Sequence, residues 1–395
     1  MQLINLSLVN EVSPVNITIV GERIFSISSY QAEPENNKVE IYFKNALAIP
    51  GLINSHDHLD FNCFQKLGNK KYKNYTDWGI DIHKHHKEEI NQILKIPISL
   101  RAAWGMYKNL LSGVTTVVNH GATLKIDPPL INIYQDSQNL HSVHFDKNWK
   151  WKLNNPAFIK KNCVIHIGEG ADRKSVAEIN TLLKFNLLKR KLIGVHGVAL
   201  KPSQAINFKG LIWCPESNKA LLGEHANINQ LKFHVPVVFG TDSTLSADWN
   251  IWKHIRLART LQKVTDQELF AMLTSSPAVL WKLNSGTLLE KKDADIVVIK
   301  DKYKNSGWEN IYNSNPEDIL LVVHRGKIRM FDKTLLPQLN RHNFIRKEFS
   351  QIRINSQVKF VEGDLPGLLK EIKCHFAGMK FPIESFEDIY HYEHA

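Results

Sequence analysis

Two histidines one residue apart, His56 and His58, end the apolar run Ala46-Leu47-Ala48-Ile49-Pro50-Gly51-Leu52-Ile53-Asn54-Ser55. Residues i and i+2 of a strand face one side, so both imidazoles point one way and Asp57 the other. Two neutral nitrogen donors at the mouth of a strand suit a divalent metal, although pairs at this spacing also arise by chance. A second pair, His83 and His85 with His86 beside it, lies in the charged stretch 81–89, ahead of Ile90, Ile93 and Leu94 at helical spacing. A solvated helix start accounts for it, and it is set aside as a metal pair.

Further donors stand at the ends of other short apolar runs. His166 closes Cys163-Val164-Ile165, His196 closes Leu192-Ile193-Gly194-Val195, and Asp242 follows Val235-Pro236-Val237-Val238-Phe239-Gly240-Thr241. A histidine at a strand end is commonly a structural hydrogen-bonding residue, and Asp242 could cap the next helix. Five such residues at successive strand ends are hard to explain that way. Three histidines and one aspartate make a hard-to-borderline metal site with room for water.

The elements that must position them alternate between strand and helix. Between 46 and 285, the strand candidates are 114–118, 163–167, 192–196, 210–214 and 235–240, with helical pattern between them, as over 177–188. This predicts βα units with parallel strands. A (β/α)8 barrel gathers its active site at the C-terminal ends of different strands, which is where these donors fall. The flanks differ. Residues 15–27 read as a hairpin around a Gly-containing turn, and 295–299 and 319–328 repeat that texture near the far end. The expectation is a TIM-like (β/α)8 barrel over 46–285 and a small composite β-sandwich from 1–45 and 286–335. Residues 336–395 form an extension without a readable motif, and its His391 and His394 receive no function.

Composition narrows the class. The chain has 395 residues, 43% hydrophobic and 23% charged, as expected of a soluble globular protein. Cys63, Cys163, Cys214 and Cys374 are scattered, which argues against a disulfide scaffold and for a reducing cytoplasm. The start lacks the pattern of a signal peptide, and no stretch approaches the ~18 to 20 apolar residues of a membrane span. The net charge of +11 is spread along the chain without a dense basic block, which argues against a nucleic-acid partner. A small-molecule substrate and no membrane partner are expected, and association between copies is left open.

Taken in order, these stretches resemble the amidohydrolase superfamily, in the branch with cytosine deaminase, guanine deaminase and the atrazine and melamine hydrolases. The resemblance rests on Pro50-Gly51-Leu52-Ile53-Asn54-Ser55-His56-Asp57-His58-Leu59, Ser112-Gly113-Val114-Thr115-Thr116-Val117, His166-Ile167-Gly168-Glu169, Gly194-Val195-His196-Gly197, Cys214-Pro215-Glu216-Ser217-Asn218 and Gly240-Thr241-Asp242-Ser243. Ser276-Pro277-Ala278, Gly286-Thr287-Leu288 and Asp293-Ala294-Asp295-Ile296-Val297-Val298 extend it to about residue 335.

The resemblance implies one divalent ion per chain, zinc first and iron second, held by His56, His58, His166 and Asp242. It implies that His196 lies beside the substrate and that Glu169 shuttles a proton. Such an ion lowers the pKa of its water to about 7, so hydroxide is available at neutral pH to attack an sp² carbon. Asp242 would take the water's proton, Glu169 would pass one to the leaving or ring nitrogen, and His196 would stabilise the developing charge.

The chain departs from the family's pattern twice. Trp213 stands where the family often has histidine before Cys-Pro, which suggests an altered pocket wall or, equally, a buried aromatic that fills the barrel. The loop after His58 carries Lys66, Lys70, Lys71 and Lys73, which could favour an anionic substrate, although a solvated surface is the better account of them. His120, after Val117-Val118-Asn119, is a weak candidate for the substrate pocket.

The expected activity is hydrolysis of a carbon–nitrogen bond other than a peptide bond, as deamination of a heterocycle or amidine-like group. Opening of a cyclic amide, as by imidazolonepropionase, is the alternative. A binuclear centre is not expected, because Lys160 and Lys161 precede the His166 strand and do not end one. A reading of another class, a barrel without catalysis that serves as an interaction scaffold, would normally go with lost ligands; here every position is filled.

Overall fold

The computed structural model describes residues 1–9, 11, 13–29, 39–303, 306–341 and 348–385. His391 and His394 therefore lie outside the described residues.

Eight strand segments form two parallel sheets. In the first, Leu52–Asp57 pairs with Val114–Asn119, which pairs with Asn132–Tyr134. In the second, Ser137–Ser142, Asn162–Ile167, Leu192–His196, Phe208–Trp213 and Val237–Phe239 lie side by side. The sheets meet at two seams. Only Gln135 and Asp136 separate Tyr134 from Ser137, so one sheet runs directly into the other. At the second seam the His56 carbonyl accepts the backbone N–H groups of Thr241 and Asp242, at 3.1 and 3.0 Å. The result is a TIM-like barrel whose C-terminal strand ends converge. Its interior is filled by Val118, Val164, Ile193, Val195, Ile212 and Val238.

Outside the barrel lies one eleven-stranded sheet that draws on both halves of the chain. Gln2–Leu8 pairs antiparallel with Val15–Val20 and parallel with Ala46–Pro50. Ala46–Pro50 in turn pairs antiparallel with Ile296–Lys300, Ile49 opposite Val297. Leu3, Leu6, Ile17, Ile296, Val298, Val323 and Phe331 share the apolar core of this sheet.

Two boundaries differ from the sequence expectation. Ala46–Pro50, read as the entry to the barrel, is an outer-sheet strand, and the barrel begins at Leu52. Both pieces are fully buried, so their hydrophobicity is one unbroken run. Gly51 marks the crossing: a Cβ there would lie 2.2 Å from Thr115 Oγ1, so only glycine lets the strands pass so closely. The extension is also structured, since Phe349–Ile354 and Gln357–Glu362 form a hairpin docked on Lys327–Asp332. A buried lysine interrupts the apolar pattern there. Lys359 is 0% exposed and reaches the Asp332 carboxylate at 2.7 Å and the carbonyls of Glu317 and Ile319 at 2.9 and 2.6 Å.

No helix among the described residues is long and apolar enough to cross a membrane.

Candidate metal centre and active site

Asp57 is fully buried behind the strand that carries His56 and His58. Its Oδ2 accepts from Lys108 Nζ at 2.9 Å and Asn109 Nδ2 at 2.8 Å, both on the helix Ile98–Leu111, and its Oδ1 accepts from Asn62 Nδ2 at 2.9 Å. With Asp57 locked outward, the flanking imidazoles face inward. Lys108 is also buried, 1% exposed. Removing one partner of a buried ion pair strands the other charge. Lys108→Met should therefore lower unfolding free energy by about 3–5 kcal/mol in urea titration. A loss under ~1 kcal/mol, the range of exposed pairs, would show that the pair does not anchor the strand.

The inward side chains converge. His166 Nε2 lies 3.2 Å from His56 Nε2 and 3.4 Å from His58 Nε2. Asp242 Oδ1 lies 3.9 Å from His56 Nε2 and 3.8 Å from His58 Nε2. His166 Nδ1 donates to the His141 carbonyl at 2.8 Å, which leaves its Nε2 lone pair facing the other two rings. Ligand atoms of a tetrahedral zinc, at about 2.0–2.1 Å from the ion, stand about 3.3 Å apart. Imidazole nitrogens that meet at this spacing suit a borderline divalent cation, and donors close enough to share one are His56, His58 and Asp242 and, around the same His56, His120 and His166.

Burial and mutual repulsion keep His56 and His166 well below the usual imidazole range, so both are neutral donors. Burial alone would raise the Asp242 carboxyl. The neighbouring His58 and His196 and hydrogen bonds from Ser246 and Ser217 outweigh it and hold the group ionised. Those hydroxyls occupy Oδ2, at 2.7 and 2.8 Å, while Oδ1 accepts the Ser243 N–H at 2.8 Å and faces the histidines.

Backbone geometry aims two of these groups. Ile193 and Val195 face the barrel interior, so strict alternation would send His196 outward. His196 instead adopts φ 72°, and Asp242 adopts φ 60°. Left-handed residues of this kind cost about 1–3 kcal/mol each and persist where the surroundings enforce them, often at functional sites. Asn218 Nδ2 donates to His196 Nδ1 at 3.0 Å, which leaves His196 Nε2 as the protonated nitrogen, 3.5 Å from Glu169 Oε2. Burial holds His196 down to about 4, so the ring is neutral.

Glu169 is 5% exposed, and burial pushes its carboxyl well above the usual range, aided by the charges of Asp242 and Glu178. It lines a cavity of about 440 Å³ together with His58, His141, His166, His196 and Asp242. The helix Tyr75–His85 roofs this cavity with Tyr75, Trp78 and Ile82. The roof is tied to the turn that carries Glu169: the Tyr75 N–H donates to the Glu169 carbonyl at 3.0 Å, and Asn74 Nδ2 donates to Asp172 at 2.7 Å.

The structure thus brings His56, His58, His166, His196, Asp242 and Glu169 into one place. Trp213 is elsewhere. It is 0% exposed and packs beside Phe239 on the outer side of the barrel wall, while its neighbours Ile212 and Cys214 face in. The expectation that it walls the pocket is corrected by strand alternation. His120 is 3% exposed and does not line the cavity. Its ring lies against the cluster, 4.5 Å from His166 and 5.1 Å from His56, with both nitrogens unpaired. His83 sits exposed among the cavity-lining residues and outside the histidine cluster. Sequence reading missed His141, Tyr75 and Phe145. The strand Ser137–Ser142 is polar along its length, and only the closely set His141 and His144 hinted at it.

The amidohydrolase family's sequence profile matches residues 143–329. The chain is 25% identical to the 5-methylthioadenosine/S-adenosylhomocysteine deaminase of Caldicellulosiruptor saccharolyticus, over 83% of this chain and 91% of that one. It is 22% identical to the 5'-deoxyadenosine deaminase of Methanosphaera stadtmanae, over 83% and 92%. Among solved structures, an adenosine deaminase from Xanthomonas campestris with bound zinc superposes with a TM-score of 0.70 and 14% identity, over 96% of this chain and 98% of that one. Strand-end histidines, the aspartate of the last barrel strand and the shared fold agree with the profile match: residues 143–329 carry the pattern of the amidohydrolase family.

Proposed function

We propose that this protein is a metal-dependent hydrolase of carbon–nitrogen bonds that removes an amino group from a nitrogen heterocycle and releases ammonia. The observation that carries the reading is Glu169: a buried carboxyl, held protonated by its surroundings, in the same cavity as the histidine–aspartate cluster. The deaminase names of the relatives support it.

In this reading one ion, zinc before iron, is held by His56, His58, His166 and Asp242, and it supplies an acidified water at neutral pH when bound. Asp242, ionised and with Oδ1 free of the serine hydroxyls, accepts a proton. Glu169 donates its proton to the ring or leaving nitrogen and can take it back, because a raised pKa brings a carboxyl near the operating pH. His196 presents its Nε2–H to charge that develops on the attacked group. The same reading makes 52–285 the catalytic unit and the outer sheet its support.

The test is a screen of purines, pyrimidines, pterins, triazines and cyclic ureides against zinc-loaded protein, read as ammonia release and as ring opening. Ammonia from at least one ring amine is the expected result. Ring opening without ammonia would move the protein to the cyclic-amide hydrolases. Neither product, from protein that retains metal, would favour the scaffold reading.

A further inference from the structure

The loop after His58 carries four lysines, yet none reaches the cavity. Lys66 Nζ pairs with Glu216 at 3.2 Å, Lys70 with Asp81 at 2.8 Å, and Lys71 donates to the carbonyls of Lys219 and Ala220 at 2.6 and 2.8 Å. Lys73 is exposed and does not line this cavity. Lys174, near the roof, donates to Thr76 Oγ1 at 2.8 Å. Histidines aside, no described residue lining the cavity can carry positive charge. Burial holds His141 below its ordinary range and therefore neutral, and His83 faces water.

Away from the histidine–aspartate floor the lining is mainly apolar: Phe61, Trp78, Ile82, Phe145, Leu221 and Leu245, with the Tyr75 hydroxyl turned to Glu178 at 2.8 Å and His83 at the exposed rim. A bound divalent ion would place positive charge at the floor, against the reacting carbon, and not at this wall. An anionic group on the far end of a substrate would have to shed its water against aromatic and aliphatic carbon with no cation to meet it.

We infer that the cavity selects an uncharged flat ring amine whose other substituent is apolar, and turns away the same ring when that substituent bears a phosphate or carboxylate. This rests on the ring-deaminase reading, and it divides the substrates in the relatives' own name: methylthioadenosine has no charged substituent, whereas S-adenosylhomocysteine ends in a carboxylate and an ammonium, both of which would lose their water against the wall.

Two measurements on the zinc-loaded full chain test it. Purine riboside, which has no amino group to lose, and its 5'-monophosphate would be compared by isothermal calorimetry. Ammonia release would be compared between adenosine or 5'-methylthioadenosine and AMP or S-adenosylhomocysteine. The neutral member of each pair should be favoured by at least ~10²-fold, since the charged one loses hydration without replacement. Phe145 is 46% exposed, so Phe145→Arg should fold normally. It should narrow the preference at least ~10-fold by offering a guanidinium to the anion.

Equal or tighter binding of the 5'-monophosphate would overturn the inference, and ammonia release in the same protein would leave the deaminase reading standing. Selection of purine riboside over its phosphate, with no ammonia from any amine, would sink the reading and keep the inference. Failure to bind either member removes both. An unchanged preference in folded Phe145→Arg would also count against the inference, by showing that the apolar wall does not set it.

Discussion

His56→Ala and Asp242→Ala proteins should leave a metal-buffered dialysis with little or no zinc, while the wild type keeps about one ion per chain. His56 is fully buried, and its Nε2 meets the His166 nitrogen at 3.2 Å, so alanine removes a donor from the middle of the set. Asp242 supplies a carboxylate oxygen 3.9 and 3.8 Å from the Nε2 atoms of His56 and His58. Loss of outer hydrogen-bond partners alone typically costs 10–100-fold in metal affinity, so loss of a ligand should exceed about 100-fold. Elemental analysis of protein with a wild-type circular dichroism spectrum decides the matter. Undiminished zinc in the folded double variant would refute the ligand assignment. His120 is the natural suspect for such a result, since its unpaired nitrogens lie against the same cluster.

Glu169→Gln tests the chemistry apart from the metal. The amide keeps the size of the side chain and can still accept a hydrogen bond from His196, but it cannot titrate. Zinc content should stay at the wild-type level, and turnover at saturating substrate should fall at least ~10²-fold, the lower end of what a general acid or base contributes. A fall in kcat with little change in KM would mark an interaction made in the transition state and not in binding. Near-wild-type turnover across pH would take the acid from the mechanism and bring ring opening forward.

How far the sequence could be read depends on which physical signal each feature leaves. His56, His58, His166, His196 and Asp242 were legible because barrel strands follow chain order and each of these residues closes an apolar run. The hairpin Val15–Val20 and Arg23–Ser29 was legible from alternation around its glycine turn. Phe349–Glu362 was not, because a strand that buries Lys359 against Asp332 looks solvent-facing in sequence. Trp213 misled for a related reason: motif position marked it as pocket wall, and strand parity turned it outward.

The sequence by itself marked the candidate donors at the strand ends, the parallel α/β class and the pairing of the chain's two ends in an outer β unit, since these depend on residue type and local periodicity. The tertiary structure decided which way those donors point. Alternation would have sent His196 outward, and a left-handed backbone at φ 72° brings it in. Tertiary packing also decided the character of the cavity. Four lysines beside the site leave an anionic substrate open in sequence, behind the reading of a solvated surface. In the fold, three of them bind acids and carbonyls contributed by other helices, so the wall left to the substrate is carbon. Charge in a sequence is a count, whereas charge at a site depends on which partners folding places within about 3 Å of it.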